Sequence, residues 1–113
     1  VAVLGLAFKR DTDDERDSLA HKLIRLLERE LADVVPHDPH VSTPTVSFEE
    51  AVEDADVVIV AANHAEFCDS AALAAITRLA GGDCLVVDPW NCWGAGQVFA
   101  YASELAALGA PSV

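Results

Sequence analysis

Four apolar runs punctuate the chain: VAVLGLAF from Val1, DVVPHDP from Asp33, ADVVIVAA from Ala55 and DCLVVDPW from Asp83. Each is continuous rather than alternating, which suits parallel strands covered on both faces. TVSF, Thr45 to Phe48, is a shorter fifth candidate. Between the first two runs, Leu19, Leu23, Leu26, Leu27 and Leu31 recur at helical spacing behind Asp17 or Ser18, predicting a capped helix of about four turns. Ser47 followed by Glu50 is a capping-box pattern and predicts a short helix from Phe48 toward Asp54. Leu73, Ile76 and Leu79 predict a helix over roughly Ala71 to Ala80, stopped by Gly81 and Gly82. Val98, Tyr101, Ala102, Leu105 and Leu108 share one stripe and predict a last helix from Gln97 to Leu108, ended by Gly109 and Pro111.

Strands alternating with helices over short links imply right-handed crossovers and an α/β fold. The expected architecture is a doubly wound, Rossmann-like three-layer sandwich with a mainly parallel sheet, one domain over residues 1–113. No internal repeat or low-complexity tract interrupts it. In such sheets ligands bind beyond the carboxyl ends of the strands, where strand order reverses. That geometry gathers three loops: Phe8 to Asp17, Asn63 to Asp69 and Asp88 to Gly96.

With 113 residues, 52% of them hydrophobic, the chain can bury one core but is short for a two-domain enzyme. A formal net charge of -12 without a basic face argues against nucleic acid or an anionic membrane as partner. The apolar runs are strand-sized, and no basic leader precedes them, so the expected compartment is the cytoplasm. Cys68, Cys84 and Cys92 lack the paired short spacing of zinc or redox motifs and are read as reduced, structural thiols. A chain without methionine that enters a strand at Val1 is expected to be a piece of a longer protein.

The loop GLAFKRDTDDERDS, Gly5 to Ser18, holds Lys9, Arg10 and Arg16 among five carboxylates, with a single glycine. It lacks the G-x-G-x-x-G fingerprint, so it is not a self-sufficient dinucleotide loop. One reading of its charges is a solvated salt-bridge loop. The other rests on placement: Lys9 and Arg16 flank Thr12, Asp13 and Asp14 beside a helix start, where cations and helix N-termini both favour phosphate oxygens.

VAVLGLAFKRDTDDERDS resembles the opening of the C-terminal, nucleotide-sugar-binding domain of the UDP-glucose/GDP-mannose dehydrogenase family, whose pattern is close to G-L-A-F-K-x-x-T-D-D-x-R-x-S. HDPHV, EEAVEDADVVIVAANHAEF and VVDPWN are similar to later parts of that domain in the same order. The resemblance implies a part of an enzyme that oxidises the C6 alcohol of a UDP- or GDP-sugar to a carboxylate with NAD, feeding polysaccharide biosynthesis. The NAD loop and the catalytic residues would belong to an N-terminal NAD-binding domain and a central part of the same parent chain, itself a homo-oligomer. Carried over by position, Phe8 and Lys9 would meet the nucleotide sugar, Arg16 would reach the NAD pyrophosphate, and Thr12, Asp13 and Asp14 would hold the loop's shape. Where many relatives have D-x-R after the last strand, this chain has Asp88, Pro89 and Trp90, so Trp90 would stack on a base or pack. The resemblance assigns none of the three cysteines as nucleophile.

The histidines add little at this level. His37 and His40 have no evident third ligand, so no metal is expected. His64 reads as a loop anchor rather than a catalytic group, and Asp38 as part of an ordinary Asp-Pro turn rather than a ribose-binding acid. The competing functional class is a stand-alone α/β module that binds a nucleotide sugar, or regulates through it, without catalysis.

Overall fold

In the computed structural model, residues 1–7, 10–15 and 18–109 are described. The four apolar runs become β1 (Ala2–Leu4), β2 (Val35–His37), β3 (Val57–Val60) and β4 (Leu85–Val87), and a fifth strand, β5 (Phe99–Tyr101), lies at one edge. The sheet order is β2-β1-β3-β4-β5, the first four parallel and β5 antiparallel to β4. Helices α1 (Leu19–Arg29), α2 (Phe48–Val52) and α3 (Ser70–Ala80) connect the parallel strands, with a 3₁₀ turn at Ala65–Phe67, and α4 (Ala102–Gly109) follows β5. The chain steps from β1 out to β2 and then back past β1 to β3. Right-handed crossovers therefore put α1 on one face and α2 and α3 on the other. The mainly parallel α/β architecture expected from the sequence is present.

Local chemistry sets the helix starts. Ser18 Oγ accepts the Ala20 N–H at 3.2 Å, Ser47 Oγ the Glu50 N–H at 3.1 Å, and Asp69 Oδ1 the Ala72 N–H at 2.7 Å. Each cap satisfies a donor that the first helical turn leaves orphaned.

The two sheet faces differ. Ala2, Leu4, Val58, Val60, Val86 and Ala100 pack with Val52, Phe67, Leu73, Ile76 and Leu105 into one dry core on the α2/α3 side. Burying each large aliphatic there contributes about 1.5–3 kcal/mol. On the other side Val57, Ile59, Leu85 and Val87 are half-buried, and Phe99 and Tyr101 remain 65% and 52% exposed. The continuous runs thus do not mean equal cover on both faces, because α1 alone serves the second face.

Three further expectations are corrected. TVSF is not a strand; it runs extended into the Ser47 cap of α2. The helix expected from Gln97 starts only at Ala102, because Phe99, Ala100 and Tyr101 alternate exposed-buried-exposed and pair with β4. The leucine stripe of α1 is shorter than its spacing suggests: the helix ends at Arg29, and Leu31 lies beyond it at φ 65° and 92% exposed.

Gly5 sits where strand order reverses. Its φ is 103°, its N–H donates to His37 O at 2.8 Å, and a Cβ at this position would fall 2.6 Å from Ala62 Cβ. Gly5→Ala is therefore expected to cost about 2–4 kcal/mol from backbone strain and overpacking together. Urea unfolding checks this, and a loss under about 0.5 kcal/mol would contradict the close approach.

Candidate functional site

Beyond the carboxyl ends of β1, β2 and β3, the loops meet around Asp38 and His64, whose side chains are both fully buried. Asp38 Oδ2 accepts the Leu6 N–H at 2.7 Å, the Ala7 N–H at 3.1 Å and the His64 Nε2–H at 2.8 Å. Its Oδ1 accepts the His40 N–H at 2.8 Å. The Asp11 N–H donates to His64 Nδ1 at 2.7 Å, and the Ala65 N–H donates to Asp11 Oδ1 at 2.9 Å. A backbone N–H can meet only a bare ring nitrogen, so His64 is neutral with its proton on Nε2.

The charges follow from these contacts. Burial pushes the Asp38 carboxyl up, but hydrogen bonds from the His40 N–H, the His64 ring and the Leu6 N–H outweigh it and leave the group below the ordinary 3.8. The His40 Nε2–H donates to the Glu66 carboxylate at 2.9–3.0 Å, and this bond raises the imidazole above its ordinary 6.5. Partial burial pushes Glu66 up, but the same bond, the hydrogen bond from its own backbone N–H and the nearby imidazoles together outweigh it and leave the group below 4.5.

A second clamp holds the far end of the β1 loop. Glu15 accepts from Thr43 Oγ1 at 2.7 Å and from His21 Nε2 at 3.0 Å, and the Ser18 N–H returns to Glu15 O at 3.2 Å. Phe8, Lys9 and Arg16 lie outside the described residues. In sequence, Lys9 falls between the pinned Ala7 and Asp11, and Arg16 between the pinned Glu15 and Ser18.

Trp90 lies in the turn after β4 and is 48% exposed. Its loop is tied to the 63–69 loop: the Trp93 Nε1–H donates to Asp69 O at 3.0 Å, and Cys68 and Cys92 form a disulfide with Cα atoms 4.6 Å apart. This corrects the reading of these cysteines as reduced. Parallel pairing of β3 with β4 brings the two following loops side by side, which the 24-residue separation conceals. Cys84 remains a free, buried thiol. Two residues before Trp90, Asp88 is buried, and its Oδ1 has no hydrogen-bond partner among the described residues. A groove of about 340 Å³ between α2 and α3, lined by His37, Phe48, Phe67 and Ala72, is separate from Trp90.

Sequence reasoning anticipated His64 as a loop anchor. It missed Asp38, which does make an Asp-Pro turn through Oδ1 but spends Oδ2 on another strand and on His64. It also missed His40, which meets His64, Asp11 and Glu66 rather than His37.

Because its folded value is depressed, Asp38 contributes stability that is full above pH 3.8 and fades as pH falls through the depressed value. The wild-type chain is expected to lose stability steeply below about pH 4, and Asp38→Asn to lose it less steeply. At neutral pH, Asp38→Ala should cost about 3 kcal/mol or more, since it orphans several buried donors. Denaturant unfolding across pH measures both. Parallel acid limbs for wild type and Asp38→Asn would count against this assignment.

Comparison with known proteins finds relatives of this chain in sequence and in fold. A UDP-N-acetyl-D-mannosamine dehydrogenase of Pyrococcus horikoshii is 42% identical over 67 residues, covering 59% of this chain and 16% of that protein. A UDP-glucose 6-dehydrogenase of Haloferax volcanii is 45% identical over 77 residues, covering 59% of this chain and 18% of that protein. The solved UDP-D-ManNAc dehydrogenase of Pyrococcus horikoshii superposes with a TM-score of 0.61 at 38% identity, over 69% of this chain and 18% of its own. An NDP-N-acetyl-D-galactosaminuronic acid dehydrogenase of Methanosarcina mazei gives 0.62 at 31% identity, over 69% and 17%. The chain thus spans under one fifth of the length of these relatives. Residues 2–95 match the model of the UDP-glucose/GDP-mannose dehydrogenase family, UDP binding domain, and the chain belongs to that family.

Proposed function

We propose that this chain, as one domain over residues 1–113, supplies the nucleotide-sugar side of the cleft in an NAD-dependent dehydrogenase that oxidises the C6 alcohol of a UDP-sugar or GDP-sugar. The observation that carries the reading is the double clamp on the β1 loop. That loop starts at the point of strand reversal, where open α/β sheets bind ligands, and is pinned at Ala7, Asp11, Glu15 and Ser18. Pinning on both sides of a cation lowers the entropy lost when a phosphate is bound.

In this reading Lys9 supplies a mobile point charge to the sugar or its phosphates, and Phe8 packs against the same ligand. Trp90, half-exposed on a loop held by Cys92 and Trp93, offers a face on which a base can stack. Arg16 turns its planar fork to the pyrophosphate of NAD, which is held mainly by an N-terminal NAD-binding domain of the parent chain, a homo-oligomer of the cytoplasm. NAD supplies the hydride acceptor; this chain binds and orients the nucleotide sugar.

The isolated chain should bind a UDP-sugar with a dissociation constant on the order of millimolar, roughly 4 kcal/mol, and should produce no sustained NADH with NAD⁺. Titration followed by NMR should shift Phe8, Lys9 and the Trp90 loop together. Lys9→Ala should weaken binding by about tenfold, the worth of one charge-assisted hydrogen bond, while Arg16→Ala, its proposed partner being NAD, should change it less than about twofold. Equal losses in the two variants, compared at matched salt, would refute the division of labour. Sustained NADH formation by the chain alone would refute the assignment of catalysis to other domains.

A further inference from the structure

We propose that Asp11, His40 and His64 form a site for one divalent transition-metal ion of the zinc class, water completing its coordination, which would tie together the loops that follow β1, β2 and β3. One ligand atom each from Asp11, His40 and His64 lie within 4.8 Å of one another. His64 Nδ1 is 3.8 Å and His40 Nε2 is 3.9 Å from Asp11 Oδ1, and the Glu66 carboxylate lies 2.9–3.0 Å from His40 Nε2. A tetrahedral ion with nitrogen and oxygen ligands at about 2.1 Å holds them roughly 3.4 Å apart, so the two Asp11 separations need to close by only about half an ångström. Two imidazoles with one carboxylate and a water suit zinc or cobalt, whereas magnesium and calcium take oxygen-only sets.

The surroundings favour a cation. The His64 Nε2–H donates to the buried Asp38 carboxylate, the arrangement that fixes ring orientation in metal-binding histidines and turns the unprotonated Nδ1 toward the cluster. In the metal-free chain the Asp11 N–H occupies that lone pair, and the ion would displace it. His40 Nε2 would give up its proton, to its own Nδ1 or to solvent, so that the ion replaces the hydrogen bond to Glu66. Asp11 and Glu66 are about half-exposed while His64 is fully buried, so the cluster opens to solvent on one side. The ligands come from three separate stretches of sequence, around residues 11, 40 and 64, which leaves no motif to read. None is a residue assigned above to the nucleotide sugar or NAD, but the ion would replace the Asp11–His64 hydrogen bond as the tie on that side of the β1 loop, so the two readings share that contact.

The test uses the chelator-treated chain with Cys68–Cys92 kept oxidised, so that these sulfurs do not compete. Titration calorimetry with Zn²⁺ should give one equivalent bound in about the micromolar range. Co²⁺ should give the intense visible bands of a tetrahedral site without sulfur charge transfer. His40→Ala should weaken binding by at least about 100-fold and Asp11→Asn by at least about tenfold, while far-UV circular dichroism stays native and His21→Ala binds as wild type. Binding weaker than millimolar, wild-type affinity in His40→Ala, or a cobalt–sulfur band would overturn the proposal.

Discussion

Asp38 Oδ2 takes two backbone N–H groups from the end of β1 and the ring N–H of His64, while Oδ1 takes the N–H of His40. A carboxylate with both oxygens buried is tolerable only when its acceptor sites are used, and here the donors come from the β1 end, the turn after β2 and the loop after β3. Removing it would leave several buried donors unpaired at once. The same carboxylate fixes the His64 proton on Nε2, which leaves Nδ1 free to receive Asp11. One buried charge thereby sets the path of the β1 loop.

The rest of the carboxyl edge is fastened differently. The loop after β4 is joined to the loop after β3 by the Cys68–Cys92 bond and by Trp93, so Trp90 projects from an anchored turn. The β1 loop is held through His64 and Ala65 on one side and through Glu15 with Thr43 and His21 on the other. All of these ties reach the sheet on its reversal side, where Gly5 lets β1 and β3 approach closely enough for the Ala61 N–H to meet Leu4 O at 2.8 Å. The described residues on either side of positions 8–9 and 16–17 are thereby held to the carboxyl edge of the sheet.

The strands β1 to β4 and the caps of α1 and α2 were legible because runs of apolar residues and Ser or Asp before a helix are local signals. β5 was not, since Val98, Tyr101, Ala102 and Leu105 also fit a helical stripe; only the unpaired edge of β4 decides for a strand. The poor cover on the α1 face was illegible for a similar reason, because the sequence shows that a strand is apolar and not which helices lie over it. The β1 loop motif pointed to the carboxyl edge of the sheet, where Asp38, His64 and Asp11 meet. The Asp38–His64–Asp11 chain, with separations of 26 and 53 residues, and the pairing of Cys68 with Cys92 depend on which loops the topology makes neighbours. Spacing within one loop carries no trace of that.

The protonation state of His64 in the metal-free chain tests the account most directly. Nitrogen-15 NMR of the imidazole at neutral pH should show a protonated Nε2 and a bare Nδ1, with a scalar coupling across the hydrogen bond from the Asp11 amide. A protonated Nδ1, or a doubly protonated ring, would be incompatible with the Asp11 N–H donating there. It would contradict the claim that Asp38 holds the β1 loop through His64.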